Sequence, residues 1–227
     1  MTLNRASKKE AETRFAALRK QVSLHVFTLR FEDSLCRESR TAAEELAEST
    51  SRLSVEISDA MESGDLLRKY RVDSPPALVV SAKDVPDLRL YGAPTGYALP
   101  ALLEAIVMAG SFLELKEELV ESARLAISDR DRAAPRLDLL VSRHEASCLE
   151  ASGALWRSVF AERLSGTPRQ SVASVRIVED FPHWALRSDN GRIPVLLVDG
   201  APILHWPFTD MAIIAALREG SHRTPNG

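Results

Sequence analysis

The order of apolar runs, helix signals and turn signals predicts an α/β chain of two tandem units, each a central mixed sheet flanked by helices. Three observations carry this. Each half of the chain reads β-α-β-α-β-β-α. An acid-small-x-Cys tetrapeptide opens the first long helix of each half: Asp33-Ser34-Leu35-Cys36 and Glu145-Ala146-Ser147-Cys148. A proline stands immediately before the third strand of each half, in Pro75-Pro76-Ala77-Leu78 and Ile193-Pro194-Val195-Leu196. The two cysteines lie about half a chain apart, as a tandem duplication requires.

The elements follow in order. "ASKKEAETRFAALRK" has Phe15 and Leu18 on one face and predicts an amphipathic helix. "SLHVFTL" (Ser23–Leu29) is rich in strand formers and predicts the first strand. Helix is expected from about Leu35 to Ser49, a strand at Leu53–Ile57 and a short helix at Glu62–Val72. "DSPPALVVS" is a turn into a buried strand, and "DLRLYG" is a strand closed by glycine. "YALPALLEAIVMAG" is a helix, because Pro100 is tolerated only in a first turn. Ser111–Arg136 reads as a further helix and a charged linker, and the boundary between units is expected there.

The second half repeats the order, with strands expected at Leu137–Val141, Ser171–Glu179, Arg192–Gly200 (after its turn) and Ala201–Trp206. Helices are expected at Ala146–Leu164, Asp180–Ser188 and Phe208–Gly220. The organisation read from this is an N-terminal helix (1–20), a first unit (21–112), a connecting helix and linker (113–136), a second unit (137–220) and a tail (221–227).

The 227 residues are 45% hydrophobic and 27% charged, enough for two small cores. With a formal net charge of −3, nothing suggests a nucleic-acid footprint, and no nucleic-acid partner is expected. No apolar run is long enough to span a bilayer, and the N-terminus lacks the apolar centre of a signal peptide. A cytoplasmic protein with no membrane association is therefore expected. Two cysteines are too few for a disulfide framework, which leaves thiol packing or thiol chemistry.

At these residues the chain resembles a known family. The β-α-β-α-β-β-α order, a motif at the first helix start and a proline before the third strand are those of the thioredoxin fold. Two such units in this length resemble the protein disulfide oxidoreductases with tandem thioredoxin or glutaredoxin units. The N-terminal part of the flavoprotein subunit of alkyl hydroperoxide reductase is similar. The carrying segments are "VSLHVF", "EELAESTSRLSVEI", "LLRKYRVDSPPALVV" and "LRLYGAPTGYALPALLEAI" in the first half. In the second they are "RLDLLV", "EDFPHWA" and "RIPVLLVDG".

The resemblance implies a Cys-x-x-Cys at each helix start, and here the chain departs from it. Asp33 and Glu145 stand at the first, attacking cysteine of that motif, and Cys36 and Cys148 stand at the second, resolving one. An attacking thiol at a helix N-terminus is exposed and its pKa is depressed by the helix field. The resolving thiol is more buried and closes the disulfide. With only the second cysteine left, neither unit can run the two-electron couple internally. A carboxylate keeps the anion at the helix start without the redox chemistry, and Asp is among the best N-caps. Pro76 and Pro194 match the family's cis-proline, whose preceding residue offers its backbone to an extended peptide. Those residues are Pro75 and Ile193. Pro75 has no N–H, so peptide capture is expected to be weaker in the first unit.

The remaining residues carry less. His144, Glu145 and Cys148 lack metal-ligand spacing, and no metal or cofactor is expected. His25 and His205 fall in strands. His183 and Trp184 fall on the short helix, and Trp156 and Phe160 share a helix face as core. No phosphate loop, dinucleotide loop or Gly-x-Ser-x-Gly is present. Three functional readings follow. The first is a redox-inactive member of this fold that binds a protein or peptide partner in one or both proline-edged grooves. The second is a one-thiol oxidoreductase using Cys36 or Cys148. The third is a small-molecule or effector-binding protein. The partner and the oligomeric state are open at this level, as is the relative direction of the grooves.

Overall fold

The computed structural model describes residues 3–31, 33–112, 119, 134–166, 171–188 and 191–219. Eight strands form one continuous mixed sheet. In chain order the elements are α1 (Arg5–Phe15), β1 (Val22–Thr28), α2 (Ser34–Ala47), β2 (Leu53–Asp59), α3 (Gly64–Tyr70), β3 (Ala77–Ala82), β4 (Leu88–Tyr91) and α4 (Ala98–Gly110). Then follow β5 (Arg136–Val141), α5 (Ser147–Leu164), β6 (Val172–Ile177), α6 (Pro182–Ala185), β7 (Val195–Val198), β8 (Ala201–His205) and α7 (Asp210–Glu219). Every expected strand is present, with ends shifted by the few residues over which boundaries are soft. The connecting helix expected within Ser111–Arg136 lies outside the described residues, apart from Ser111, Phe112, Leu119 and the segment from 134 on.

Strand order across the sheet is β2-β1-β3-β4-β6-β5-β7-β8. β1 runs parallel to β2 and antiparallel to β3, and β3 is antiparallel to β4. The second half repeats this with β5 between β6 and β7, and β8 beyond β7. The halves join where β4 pairs in parallel with β6, with Arg89 opposite Ser174, Leu90 opposite Val175 and Tyr91 opposite Arg176.

Alternation along the strands gives the sheet two faces. Val22, Leu24, Val26, Leu78, Val80, Leu90, Leu139, Val175 and Leu196 share one apolar cluster with the long helices. α4 and α5 are the centre of that layer. Both are buried on most sides, and Trp156 and Phe160 of α5 lie within the core as expected. The other face carries Phe27, Val79, Tyr91, Leu140, Val195 and Leu197, covered by Leu67 and Tyr70 of α3, Trp184 of α6 and the neighbouring Val72 and Phe181. α1 is shorter than its periodicity suggested. It stops at Phe15, and the N–H groups of Arg19 and Lys20 both donate to the Gly110 carbonyl at the end of α4 (3.0 Å each).

Candidate functional site

Strand direction decides where the two helix starts lie. β1 is parallel to β4 through β3, β4 is parallel to β6, and β6 is parallel to β5. The C-terminal ends of β1 and β5 therefore lie at the same end of the sheet. α2 and α5 both begin there, and β3 and β7, which run the opposite way, both enter there after their prolines. The two candidate grooves open at one end of the molecule.

The two helix starts differ. Asp33 is the N-cap of α2, and its Oδ1 accepts the Cys36 N–H at 2.8 Å, satisfying one donor that the first turn leaves without a helical partner. The Cys36 thiol, three residues inside, is fully buried. In the second half α5 begins one residue later relative to its acid. Its N-cap is Ala146, which makes no side-chain cap, so Glu145 lies just before the helix rather than on its first position. The Glu145 carboxylate accepts from the Ser147 hydroxyl (3.1 Å) and N–H (3.5 Å). Cys148 is buried, and burial pushes its thiol up to about 11. The Ser142 N–H, donating to Sγ at 3.2 Å, opposes that rise, while Glu145 and Glu179 add to it.

Pro75–Pro76 and Ile193–Pro194 are both cis. The Pro76 carbonyl accepts the Gly92 N–H (3.0 Å), and the Pro194 carbonyl accepts the Trp206 N–H (3.2 Å). The two loops are thus tied inward in the same way. Trp206–Pro207 is a third cis bond, not foreseen from the sequence.

A polar clasp joins the halves at this same end. Arg143, two residues before Glu145, pairs with Asp180 and donates to Thr95 Oγ1 at 2.7 Å. Asp180 also accepts the Ala93 N–H at 2.8 Å. Burial raises the Asp180 pKa, and the Ala93 N–H and Arg143 oppose it. Gly96 (φ +57) lets the backbones meet, since a Cβ there would collide with the Arg143 carbonyl, which accepts the Tyr97 N–H.

Below the clasp, on the thinly covered face, lies a buried charge network. Arg176 Nε donates to Asp138 Oδ1 at 2.7 Å, and its two terminal nitrogens bond both oxygens of Asp73 at 3.2 and 2.8 Å. Arg136 reaches both Asp138 (2.7 Å, Nε to Oδ2) and Asp73. The Arg176 guanidinium lies 3.9 Å from the Tyr91 ring centre and 4.1 Å from that of Trp184. Burial works against the Asp73 charge, but Arg176 and Arg136 outweigh it and bring the carboxyl down to about 2. Asp73 opens the loop to Pro75–Pro76, so this network fixes the first cis-proline loop to the strands of the second half. Farther out, Glu56, His25, Tyr70 and Lys69 form a chain that holds α3. His25 Nδ1 faces Glu56 at 3.1 Å, Nε2 faces the Tyr70 hydroxyl at 2.8 Å, and Lys69 Nζ donates to that hydroxyl at 3.0 Å.

The structure therefore brings Asp33, Glu145, Pro75, Pro76, Ile193 and Pro194 to one end of one sheet. Sequence reasoning missed Asp73, Asp138, Arg143, Arg176 and Asp180. A signal was present: Asp138 in "LDLLV" and Arg176 in "SVASVRIVE" are opposite charges inside otherwise apolar strands, which implies a buried pair. Among the described residues no three His, Cys, Asp or Glu side chains come together as a metal site, and no helix is long and apolar enough to cross a membrane.

No family model matches the chain, and no curated protein matches it significantly. Solved structures do. A protein disulfide oxidoreductase from Aeropyrum pernix aligns over 97% of this chain and 95% of its own, with TM-score 0.78 and 16% identity. The NTD_N/C domain of the alkylhydroperoxide reductase AhpF from Enterococcus faecalis aligns over 95% of this chain and 99% of its own, with TM-score 0.75 and 19% identity. The chain has a tandem thioredoxin fold. In this fold Asp33 and Glu145 each follow the first strand of a unit, and each unit's cis-proline precedes its third strand.

Proposed function

We propose that this tandem thioredoxin-fold chain is redox-inactive and binds a partner protein or peptide at its two cis-proline-edged groove ends. The observation that carries the reading is the cap at Asp33. A carboxylate accepts the Cys36 N–H at 2.8 Å, in the place where an attacking thiolate would need those same helix-start donors. Supporting it, Cys36 is fully buried, and the Cys148 thiol is pushed up to about 11, so at neutral pH it is overwhelmingly the unreactive thiol. The Aeropyrum pernix structure, named for disulfide oxidoreduction, shares the scaffold, so the reading separates the scaffold from the electron couple.

Insulin reduction tests it, with dithiothreitol as reductant. The expected rate equals the thiol background, and turnover above background overturns the reading. Native labelling at pH 7 with a chromogenic disulfide adds a check on the one-thiol alternative. Both thiols should react only after unfolding, and a fast native phase would favour that alternative. Asp33→Cys should then create a titratable dithiol with Cys36. If no internal disulfide forms, Asp33 does not stand at the attacker's position.

A further inference from the structure

α3 is a seven-residue helix, and among the described residues every hydrogen bond it makes to the sheet comes from its last residue, Tyr70. A helix this short does not persist by itself, so α3 keeps its shape through what it packs on. The buried Tyr70 ring lies 4.3 Å from the His25 ring and 6.0 Å from that of Phe27, centre to centre. Its carbonyl accepts from Arg89 Nε, and its hydroxyl meets His25 and Lys69. Phe27 and Val79 are among the apolar strand residues beneath.

The two ends of the Lys69–Tyr70–His25–Glu56 chain fix the direction of every hydrogen bond in it. Lys69 has donors and no acceptor, so the Tyr70 oxygen accepts from it at 3.0 Å. The Glu56 carboxylate has acceptors alone, so Nδ1 of His25, 3.1 Å away, carries the imidazole proton. Nε2 is then bare and takes the Tyr70 O–H at 2.8 Å. The chain is complete with a neutral ring. A second proton on His25 reverses the Nε2 contact. Nε2–H and Lys69 then converge on one buried oxygen, and the Tyr70 hydrogen faces no acceptor, since that hydroxyl meets no other hydrogen-bonding group among the described residues. A buried donor left unpaired is costly, and so is a buried charge without a counter-charge. The surrounding charges are mixed. Glu56 on β2 and Asp87 just before β4 favour the charged ring, and Lys69 on α3 opposes it. Val79 of β3, opposite His25, is uncharged, and beyond it Arg89 is directed at the Tyr70 and Asp87 carbonyls. Burial outweighs the two acids and holds the ring below its ordinary 6.5.

We propose that this chain is a pH-sensitive latch. With His25 neutral, α3 is docked; protonation of His25 under mildly acidic conditions releases α3 and uncovers the apolar surface of Phe27 and Val79. The latch is independent of whether the grooves hold a partner. Once α3 has left, the ring is in water at its ordinary value. Docking is therefore complete above about 6.5 and weakens as pH falls from there through the lower docked value. The segment that follows α3 does not open with it. Asp73 keeps its charge down to about 2, so the loop to Pro75–Pro76 stays tied to Arg176 and Arg136.

Amide hydrogen exchange on the full chain at pH 7.5 and 5.0, corrected for the intrinsic rate, tests this. Protection of the α3 amides should fall by about fivefold or more at the lower pH, with that of α2 and α5 unchanged. NMR should show the His25 proton on Nδ1 at pH 7.5 and a titration below the ordinary value. His25→Gln does not titrate and should abolish the α3 response. Lys69→Met, at an exposed position, removes the competing cation. It should raise the His25 midpoint and shrink the response, and it decides by itself if His25→Gln does not fold. Equal α3 protection at both pH values, a response that persists in His25→Gln or is undiminished in Lys69→Met, or a neutral ring protonated on Nε2 each overturns the latch. A loss shared by α2 and α5 overturns it too, since the whole chain rather than α3 would then be opening.

Discussion

β2 and β6 are the same strand of the repeat placed in two different positions of one sheet. Phe27 of β1 lies between Ser58 of β2 and Ala77 of β3, and Leu140 of β5 lies between Arg176 of β6 and Val195 of β7. Ser58 and Arg176 therefore occupy corresponding places, as do His25 and Asp138. β2 is the outer edge, half-exposed along its length, while β6 lies between β5 and β4 and is buried almost throughout. The edge position carries Ser58 and the exposed Glu56, charge and polarity that discourage further pairing. The joint position carries an arginine tied to two aspartates and packed between two aromatic rings. Place in the assembled sheet, rather than place in the repeat, set the side chain.

The largest effect should come from the joint. Arg176→Ala leaves the buried Asp138 with Arg136 in place but strips it and Asp73 of their buried guanidinium, and removing one member of a buried pair costs up to about 3–5 kcal/mol. Urea denaturation should show that loss, while Ser58→Ala at the corresponding edge position should stay within about 0.5 kcal/mol. Equal effects would break the comparison between edge and joint.

Next comes Gly96→Ala, which forces a side chain into a left-handed backbone against the Arg143 carbonyl. A loss of about 1–3 kcal/mol is expected from the strain alone, read from the same denaturation curves. A neutral result would mean that the loop and the clasp can part without cost to either half.

The helix starts give a smaller contrast. Asp33→Ala removes a cap worth about 1 kcal/mol. Glu145→Ala removes only a favourable charge near a helix N-terminus, about 0.3–1 kcal/mol and lower still at this exposed position. Paired thermal melts at low ionic strength should rank the two in that order, and the reverse ranking would undo the assignment of the cap.

The smallest expected effect is a pH dependence. The Asp73 carboxyl is held at about 2, below its ordinary 3.8. Because the folded value is depressed, its contribution is complete above the unfolded pKa. That contribution is lost as pH falls from about 4 through 2. Solvent reaches part of this side chain, which screens the effect. Asp73→Asn should flatten the acid limb of the stability–pH curve over that window, measured by urea unfolding at fixed ionic strength.

Much of the fold was legible because it rests on local signals. Period-two apolar runs, prolines before third strands and small residues at helix starts each act over a few residues. The Asp33 cap was legible for the same reason, since a cap and its donor are three residues apart. Glu145 was harder, because an acid at a helix start reads alike whether the helix begins at the next residue or one later. The joint was not assigned because its partners are far apart in the chain, Asp73 and Arg176 being 103 residues from each other.

The residues alone dictate the duplicated order of elements, the carboxylates at both helix starts and the prolines before both third strands, because local backbone and hydrophobic patterning specify these. Tertiary structure alone decided that β4 joins β6, that this pairing is parallel, and that both groove ends consequently face one end of the sheet. The physical reason is that a strand's pattern says which face is buried but not which neighbour lies alongside it. That choice comes from long-range contacts: the Asp73–Arg176–Asp138 network, the Arg143–Asp180 clasp and the packing of α4 on α5.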